Sequence, residues 1–437
     1  MNDLASHAYS RFHEPHAARR AALACMAALA VALGIGRFAF TPLLPLMLHG
    51  AALGQPHLDI QHGGWLASFN YAGYFVGAMT CAALRAEPAR MVRVGLAATV
   101  LLTLAMGVIG QFWVWALVRF VAGAVSAWTF VFASQWGLRR LAELGANAWS
   151  GVIYTGPGVG IVGTGLLVSV AGGYGAVVGW IGFALIGAVL TVLVWPVFGE
   201  TRRVGAANPA VASSSTAKSA TGSRAGANPL PRTAGVRTSH AVHRSDAFWL
   251  VLLYGIPGFG YIITATFLPV IARHALPGSA WPDLFWPMFG AALIVGALLA
   301  ARLPLHWDNR TLLAGSYVLQ AIGIALGIVW PTAGGFSLGS ILIGLPFTAI
   351  TLFAMREARR LRGDDAAGLM GYATAAYGIG QIAGPLVAAP IAAHTGSFSL
   401  ALWFAAGALL AGAAGLIAVM RAPHGARHGR MPDCGCN

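Results

Sequence analysis

The sequence is short of charge. Only 9% of its 437 residues are Asp, Glu, Lys or Arg, and 57% are hydrophobic, whereas ordinary soluble domains carry about 25% charged residues. A soluble fold of this length needs far more polar surface than this composition supplies. The composition therefore excludes a soluble protein and predicts a polytopic membrane protein.

Acidic residues are scarcer still, with 13 Asp and Glu against 27 Lys and Arg, for a net charge of +14. The basic residues are scattered between apolar segments instead of forming one basic domain, so we expect no nucleic-acid partner. No Asp, Glu or His lies deep in an apolar segment, and the only charges expected to be buried there are Arg37 and Arg119. Proton-coupled carriers commonly use buried acidic or imidazole groups as relays, so proton coupling stays open.

The chain has only four cysteines, and their positions do not form a disulfide framework. Cys25 and Cys81 lie in apolar segments. For Cys434 and Cys436 we expect a disordered tail in preference to a two-thiol metal site. No metal or other cofactor is expected. The first apolar run continues to Leu48, which is too long for a cleaved signal peptide and indicates an uncleaved first span.

Long apolar windows predict twelve membrane-spanning helices in two sets of six. The windows lie at about 21–48, 63–85, 91–110, 112–137, 149–171, 174–198, 247–272, 284–302, 311–330, 333–355, 366–393 and 397–420. The resulting units are an N-terminal tail 1–20, a six-helix bundle 21–198, a linker 199–245, a second bundle 246–420 and a C-terminal tail 421–437. The linker has too little bulky apolar content to fold, so we expect it to be disordered; a docking or regulatory segment is the alternative.

Arginine placement predicts the orientation in the membrane. With the N-terminus in the cytoplasm, all but three of the 27 Lys and Arg residues lie in cytoplasmic segments or at their edges, and only Arg273 lies outside. This is the asymmetry of the positive-inside rule. It places both termini in the cytoplasm of a bacterial inner-membrane protein.

The two halves repeat each other at an offset of about 220 residues. Phe132–Ala133 followed by Arg139-Arg140-Leu141 matches Phe353–Ala354 followed by Arg359-Arg360-Leu361. In the same way, Gly158 and Gly160 match Gly378 and Gly380. A parallel repeat of two six-helix halves is typical of transporters whose substrate site lies between the halves at mid-membrane.

Several segments make the chain resemble a major facilitator superfamily (MFS) transporter of the YbfB/YjiJ type. They are Gly34–Met47, Asn70-Tyr71-Ala72-Gly73-Tyr74, Gly258-Phe259-Gly260-Tyr261 with Ala265-Thr266-Phe267-Leu268-Pro269, and Gly380-Gln381 with Gly384-Pro385. The resemblance implies two bundles rocking about a central cavity. It also implies coupling or conformational roles for Arg119 and Gly123 in the fourth span, Gly156 and Pro157 in the fifth and Gly384 and Pro385 in the eleventh. The loop after the second span lacks the family's usual Asp, with Cys81 near its place.

Arg37 is the strongest candidate for a substrate-binding residue. It lies about 16 Å from the polar turn at His49 by helical rise, near the middle of a hydrocarbon core about 30 Å thick. A guanidinium stays charged there, so it should face a protein interior or wet cavity and favour an anionic substrate. The alternative is that Arg37 binds backbone carbonyls freed by Pro42 and Pro45. For Arg119, structural and coupling roles are equally supported.

Other polar residues lie at similar depth and complete the predicted substrate site. Asn70 and Tyr74 share a face of the second span because they are four residues apart. The candidates in the second half are Tyr261, Thr264, Tyr377 and Gln381. Polar groups also join membrane helices, and packing is the alternative role for these residues. For Trp128 and Trp286 packing is favoured, and the alternative is that they wall a cavity for an apolar part of the solute.

These observations together predict a non-enzymatic, monomeric secondary transporter of a small organic solute, and we expect that solute to be anionic. We expect a proton or substrate gradient to drive transport, and proton coupling stays open because the spans lack an acidic relay. Gly156–Pro157 favours one alternative, an exporter of amphiphilic or drug-like compounds. A non-transporting receptor is another alternative. An intramembrane enzyme is disfavoured because the spans offer no acid–base groups or metal ligands.

Overall fold

The computed structural model describes residues 2–48, 58–81, 83–84, 86–199, 236–304, 306–363 and 366–421. Within these ranges all regular structure is helical, which confirms the all-α fold class. Most of the predicted linker and all but the first residue of the C-terminal tail, with Cys434 and Cys436, lie outside the described residues. Residues 2–20, expected as a tail, are the first part of helix α1.

The N-terminal half (residues 2–199) contains eight α-helices and the C-terminal half (236–421) contains seven, counted over the described residues. In the N-terminal half they are α1 Asn2–Leu29, α2 Phe40–Leu48, α3 Ile60–Thr80, α4 Pro88–Val108, α5 Phe112–Glu143, α6 Ser150–Ile153, α7 Gly156–Ala171 and α8 Gly175–Val194. In the C-terminal half they are α9 Val236–Ala275, α10 Pro282–Arg302, α11 Asn309–Val329, α12 Ala333–Gly344, α13 Phe347–Arg362, α14 Ala366–Thr395 and α15 Ser399–Arg421. A π-helix, Ala30–Phe38, joins α1 to α2.

Ten helical stretches within the described residues are long and apolar enough to cross a membrane. One of them, Asn147–Val194, contains both α7 and α8, which a turn at Gly172–Tyr174 separates. Helix α3 is 21 residues long but is not among the ten; its sequence includes Gln61, His62 and Asn70. The count of twelve spans stays a prediction, which the division of Asn147–Val194 and the length of α3 both favour.

The internal repeat is visible in helix packing. Helices α4 and α11 are both 21 residues long and begin about 220 positions apart. An added Cβ on Gly160 would come within 2.5 Å of the Gly34 Cα, and one on Gly380 would meet the backbone of Gly255 and Gly258. The first and fifth spans thus pack through glycines as the seventh and eleventh do, at the offset that the sequence predicts.

The contact between Gly34 and Gly160 leads to a stability prediction. We expect Gly160→Ala to destabilise the protein by about 1–3 kcal/mol, because the new methyl group would overlap backbone atoms that have no room to move. Gly163→Ala on the same helix is the matched control, since no atom lies within 4 Å of its added Cβ. Thermal unfolding in detergent measures both, and equal melting temperatures would contradict this packing.

The two halves contact each other through α3 with α14 and through α6 and α7 with α10. The contacts with α10 run from Gly165 and Pro287 to Gly151 and Leu298. We call the end of the membrane domain that holds Leu48, His62 and Ala275 the His62 end, and the opposite end the Arg310 end. Three hydrogen bonds also link the halves: Thr41 Oγ1 donates to the Ala265 carbonyl at 2.8 Å, the Tyr71 and Thr266 hydroxyls are bonded at 2.9 Å, and Ser68 Oγ donates to the Ile382 carbonyl at 2.9 Å.

A buried charge network at the Arg310 end corrects one expectation. Arg37 and Arg119 are not the only buried charges, because Glu357 is fully buried and Arg310 is 6% exposed. Glu357 binds Arg310 at 2.7 Å and Arg360 at 2.7 Å, and Arg310 also binds Asp246 at 2.6 Å. Glu357 lies near the end of α13, as its sequence position indicates. Its burial follows from the arginines that surround it.

Candidate functional site

The site is built on the π-helix Ala30–Phe38, which ends next to Arg37. Pro42 has no backbone N–H, so it cannot bond to the Arg37 carbonyl in the i→i+5 pattern of a π-helix. Arg119 from α5 takes that place, with Nη1 donating to the Gly36 carbonyl and Nη2 to the Arg37 carbonyl, each at 3.3 Å. The carbonyl-binding role that the sequence left open for Arg37 therefore belongs to Arg119.

Arg119 also belongs to the contact between α3 and α5. It is 1% exposed, its guanidinium lies 4.7 Å from the centre of the Phe40 ring, and its carbonyl accepts a hydrogen bond from Asn70 Nδ2 at 2.9 Å. An added Cβ on Gly123 would meet the backbone of Asn70 and Tyr74. Asn70, Arg119 and Gly123 thus hold two helices and the π-helix together.

Arg37 makes its hydrogen bond to the other half of the protein. The side chain is 5% exposed, and Nη2 donates to Gln381 Oε1 of α14 at 3.0 Å. Gln381 Nε2 in turn donates to the Tyr261 hydroxyl of α9. Three of the predicted site residues, from the first, seventh and eleventh spans, are therefore connected by hydrogen bonds across the boundary between the halves.

Aromatic rings surround the Arg37 guanidinium. Its central carbon lies 4.0 Å from the ring centre of Tyr74, 5.1 Å from that of Tyr71 and 5.3 Å from that of Phe38. These rings give a cation partial compensation through their π faces. In the part of the chain that the structure covers, no carboxylate pairs with Arg37, and its Nε has no hydrogen-bond partner.

A second set of rings runs from Tyr261 back to Arg37, and we call it the aromatic arc. Its members, in order of contact, are Tyr261, Phe347, Phe289, Trp286 and Phe38, with ring centres 5.0, 5.9, 5.0 and 6.1 Å apart. Tyr377 stacks on Tyr261 at 5.9 Å. The arc, Gln381 and Arg37 thus form one closed series of contacts, in which Arg37 bonds to Gln381 and lies over the Phe38 ring.

The remaining predicted residues lie elsewhere. Thr264 lines a cavity inside the C-terminal half, beside Phe336 and Ser340, and is not in the Arg37 cluster. Gly156 packs against the backbone of Met26 and Ala30. The neighbouring Pro157 is buried at the start of α7.

The glycine–proline pair of α14 joins that helix to two others. Gly384 packs against Ile262 of α9. The Pro385 carbonyl lies within 3.0 Å of an added Cβ on Gly64 of α3. These positions allow close helix packing and do not contact Arg37.

Sequence reasoning names Tyr261 and Trp286 but does not predict the rest of the aromatic arc or the π-helix. Phe289 and Phe347 carry no polar group, so their letters resemble those of any apolar span. Pro42 is the sequence signal for the irregular helix. Tyr71 carries part of the family resemblance but is not among the predicted site residues.

The architecture and the site define the chain as a two-bundle membrane protein with a polar cluster between its halves. The family model described as "Uncharacterised MFS-type transporter YbfB" matches residues 29–228 and again residues 223–418. The chain therefore belongs to this family of MFS transporters. The double match also agrees with the internal repeat.

Solved structures support the fold. The chain is similar to two crystal structures of the nucleoside transporter NupG. The structure of a NupG mutant has a TM-score of 0.68 at 14% identity, and the match covers 92% of this chain and 100% of that one. The other NupG structure has a TM-score of 0.61 at 11% identity, and the match covers 93% and 99%. At these identities the likeness concerns the fold alone.

One relative carries a name that describes a function. Over 208 residues the chain is 30% identical to the "Chloramphenicol resistance protein" of Streptomyces lividans, and the match covers 44% of this chain and 48% of that protein. The match thus spans about half the length of the relative.

Proposed function

We propose that the protein is a secondary active transporter, not an enzyme, that moves a small organic anion across the bacterial inner membrane by alternating access. Arg37 is the observation that carries this proposal. Its guanidinium is buried between the two halves, bonds to Gln381 and faces no carboxylate among the described residues. A buried cation without an anionic partner is costly, so a substrate anion would supply what the site lacks.

Binding at Arg37 would be linked to motion of the halves. A carboxylate on Arg37 would compete with Gln381 Oε1 for the same Nη2 donor, at a bond that crosses the boundary. Charge-assisted pairs of guanidinium and carboxylate are about twice as strong as neutral hydrogen bonds. The anion would therefore release one link between the halves and favour the conformers in which they separate there. The proposed substrate site is Arg37, Tyr74, Tyr261, Tyr377 and Gln381.

With both termini cytoplasmic, the proposed topology places the His62 end outside and the Arg310 end in the cytoplasm. We propose a monomer that needs only its solute and the bilayer, with no cofactor and no nucleic acid, driven by a substrate or proton gradient.

A second candidate function is export of amphiphilic compounds. The Streptomyces lividans relative and the pair Gly156–Pro157 favour it. Export of neutral or cationic compounds would make no use of the Arg37 charge. The two functions therefore differ in the ligands that stabilise the protein.

A thermal-shift screen separates the two candidates. Purified protein is heated with small organic carboxylates, neutral sugars, amino acids and cationic dyes, since a ligand of the native state raises the melting temperature. We expect carboxylates to raise it most. Stabilisation by cationic dyes or neutral compounds, with no response to carboxylates, would favour the exporter and contradict anion transport.

A further inference from the structure

Arg37 selects the charge of the ligand, and the aromatic rings near Arg37 indicate the chemical character of the uncharged part. The rings of Phe38, Tyr71 and Tyr74 face the guanidinium, and the aromatic arc continues from Phe38 to Tyr261, on which Tyr377 stacks. The walls next to the guanidinium are thus mostly flat π surfaces. Aromatic rings pair with one another in offset-stacked or edge-to-face geometry with a gain of about 0.5–1.5 kcal/mol beyond their buried area.

Part of this aromatic surface stays accessible. Tyr74, Tyr377 and Phe347 are half-buried, while Arg37, Gln381 and Tyr261 are buried. Tyr74 contacts Arg37, and Tyr377 and Phe347 contact Tyr261. A ligand at these three rings would therefore lie next to the hydrogen-bonded set of Arg37, Gln381 and Tyr261.

In the part of the chain that the structure describes, two buried donors of Arg37 and the aromatic arc lack acceptors, whereas Gln381 and Tyr261 are hydrogen-bonded. Over the described residues, the buried Arg37 Nε and the buried Trp286 Nε1 have no acceptor. Neither atom can accept a hydrogen bond, and burying a donor without a partner costs about 1–3 kcal/mol. A ligand that brings an acceptor can pair with the Arg37 Nε, which an ammonium group cannot do.

We propose that this site takes planar aromatic carboxylates, an inference that rests on the anion transport proposed above. The carboxylate would bind the Arg37 guanidinium in place of Gln381. The ring would lie among the π faces of Tyr74, Tyr377 and Phe347. Charge and flatness are then two separate requirements, and each can be removed in the ligand without the other.

Three probes of similar size test the two requirements. Benzoate has both charge and a flat ring, cyclohexanecarboxylate has only the charge, and benzamide has only the ring. Their affinities are measured by calorimetry on the purified full-length protein. We expect benzoate to bind about tenfold more tightly than cyclohexanecarboxylate, the equivalent of roughly one good aromatic pair, and benzamide to bind more weakly than both.

A variant links this preference to the aromatic arc. We expect Phe347→Leu, which keeps an apolar side chain of similar bulk, to reduce the preference for benzoate over cyclohexanecarboxylate to about twofold or less. Phe404→Leu is the matched control, because Phe404 is 59% exposed on α15. It should keep the wild-type preference.

The outcomes separate this inference from the proposed function. Equal binding of benzoate and cyclohexanecarboxylate would overturn the aromatic class while leaving anion transport intact. Binding of benzamide without either carboxylate would overturn both. Binding of none of the three would overturn the aromatic class, and the wider carboxylate screen would still decide on anion transport.

Discussion

Arg37→Gln is expected to weaken carboxylate binding by roughly 100-fold. Truncating one partner of a buried charge pair costs about 2–5 kcal/mol, and a tenfold change in affinity corresponds to about 1.4 kcal/mol. The glutamine can still hydrogen-bond near Gln381, and it removes a buried charge that faces no carboxylate among the described residues. We therefore expect the unliganded variant to remain folded.

The measurement is the carboxylate-induced rise in melting temperature, compared between wild type and Arg37→Gln. The matched control is Arg139→Gln, which removes the same charge from an 82% exposed side chain and should respond as wild type does. If Arg37→Gln keeps the full carboxylate response, the guanidinium is not the anion site. A lowered melting temperature without ligand would instead indicate a structural role.

Glu357→Ala is expected to destabilise the protein by about 3–5 kcal/mol, the cost of removing one partner from a buried ion pair. Glu357 accepts hydrogen bonds from Arg310 and Arg360 and is fully buried, and Arg310 is itself buried between Glu357 and Asp246. Without Glu357, the Arg310 charge keeps Asp246 as its ion-pair partner but loses the fully buried one. The expected loss is therefore large for a single substitution.

Glu143→Ala is the control for this prediction. Glu143 also pairs with two arginines, Arg139 at 3.1 Å and Arg140 at 3.1 Å, but its side chain is 44% exposed. Exposed pairs of this kind contribute about 0–1 kcal/mol, so its melting temperature should change little. Thermal unfolding of both variants decides the matter, and similar melting temperatures would show that the Arg310 network does not hold the C-terminal half together.

The depth of polar residues along the predicted spans is enough to predict much of the site. Arg37, Tyr261 and Gln381 were selected from their positions along three different spans, and the structure connects them by hydrogen bonds. Depth is readable because helical rise and bilayer thickness are fixed. The glycine offset between the halves was readable for a similar reason, since close backbone contact leaves few alternatives to glycine.

The direction in which each side chain points could not be predicted from the sequence in the same way. Thr264 lies at the depth of Tyr261 but lines a cavity inside its own half. A span that is apolar on all sides has no polar face to show which direction points to the partner half. The role of Arg119 was undecided for a related reason, because its acceptors are backbone carbonyls of Gly36 and Arg37 that carry no signature in the sequence.

Counterflow in proteoliposomes tests the central claim most directly. Vesicles containing wild-type protein are preloaded with the carboxylate that stabilises it best, and entry of the labelled compound is followed, with Arg37→Gln and empty vesicles in parallel. The account predicts transient accumulation of label above equilibrium with wild type and none with Arg37→Gln. Equal accumulation by both proteins would contradict the role of Arg37, and binding without accumulation would indicate a receptor instead of a transporter.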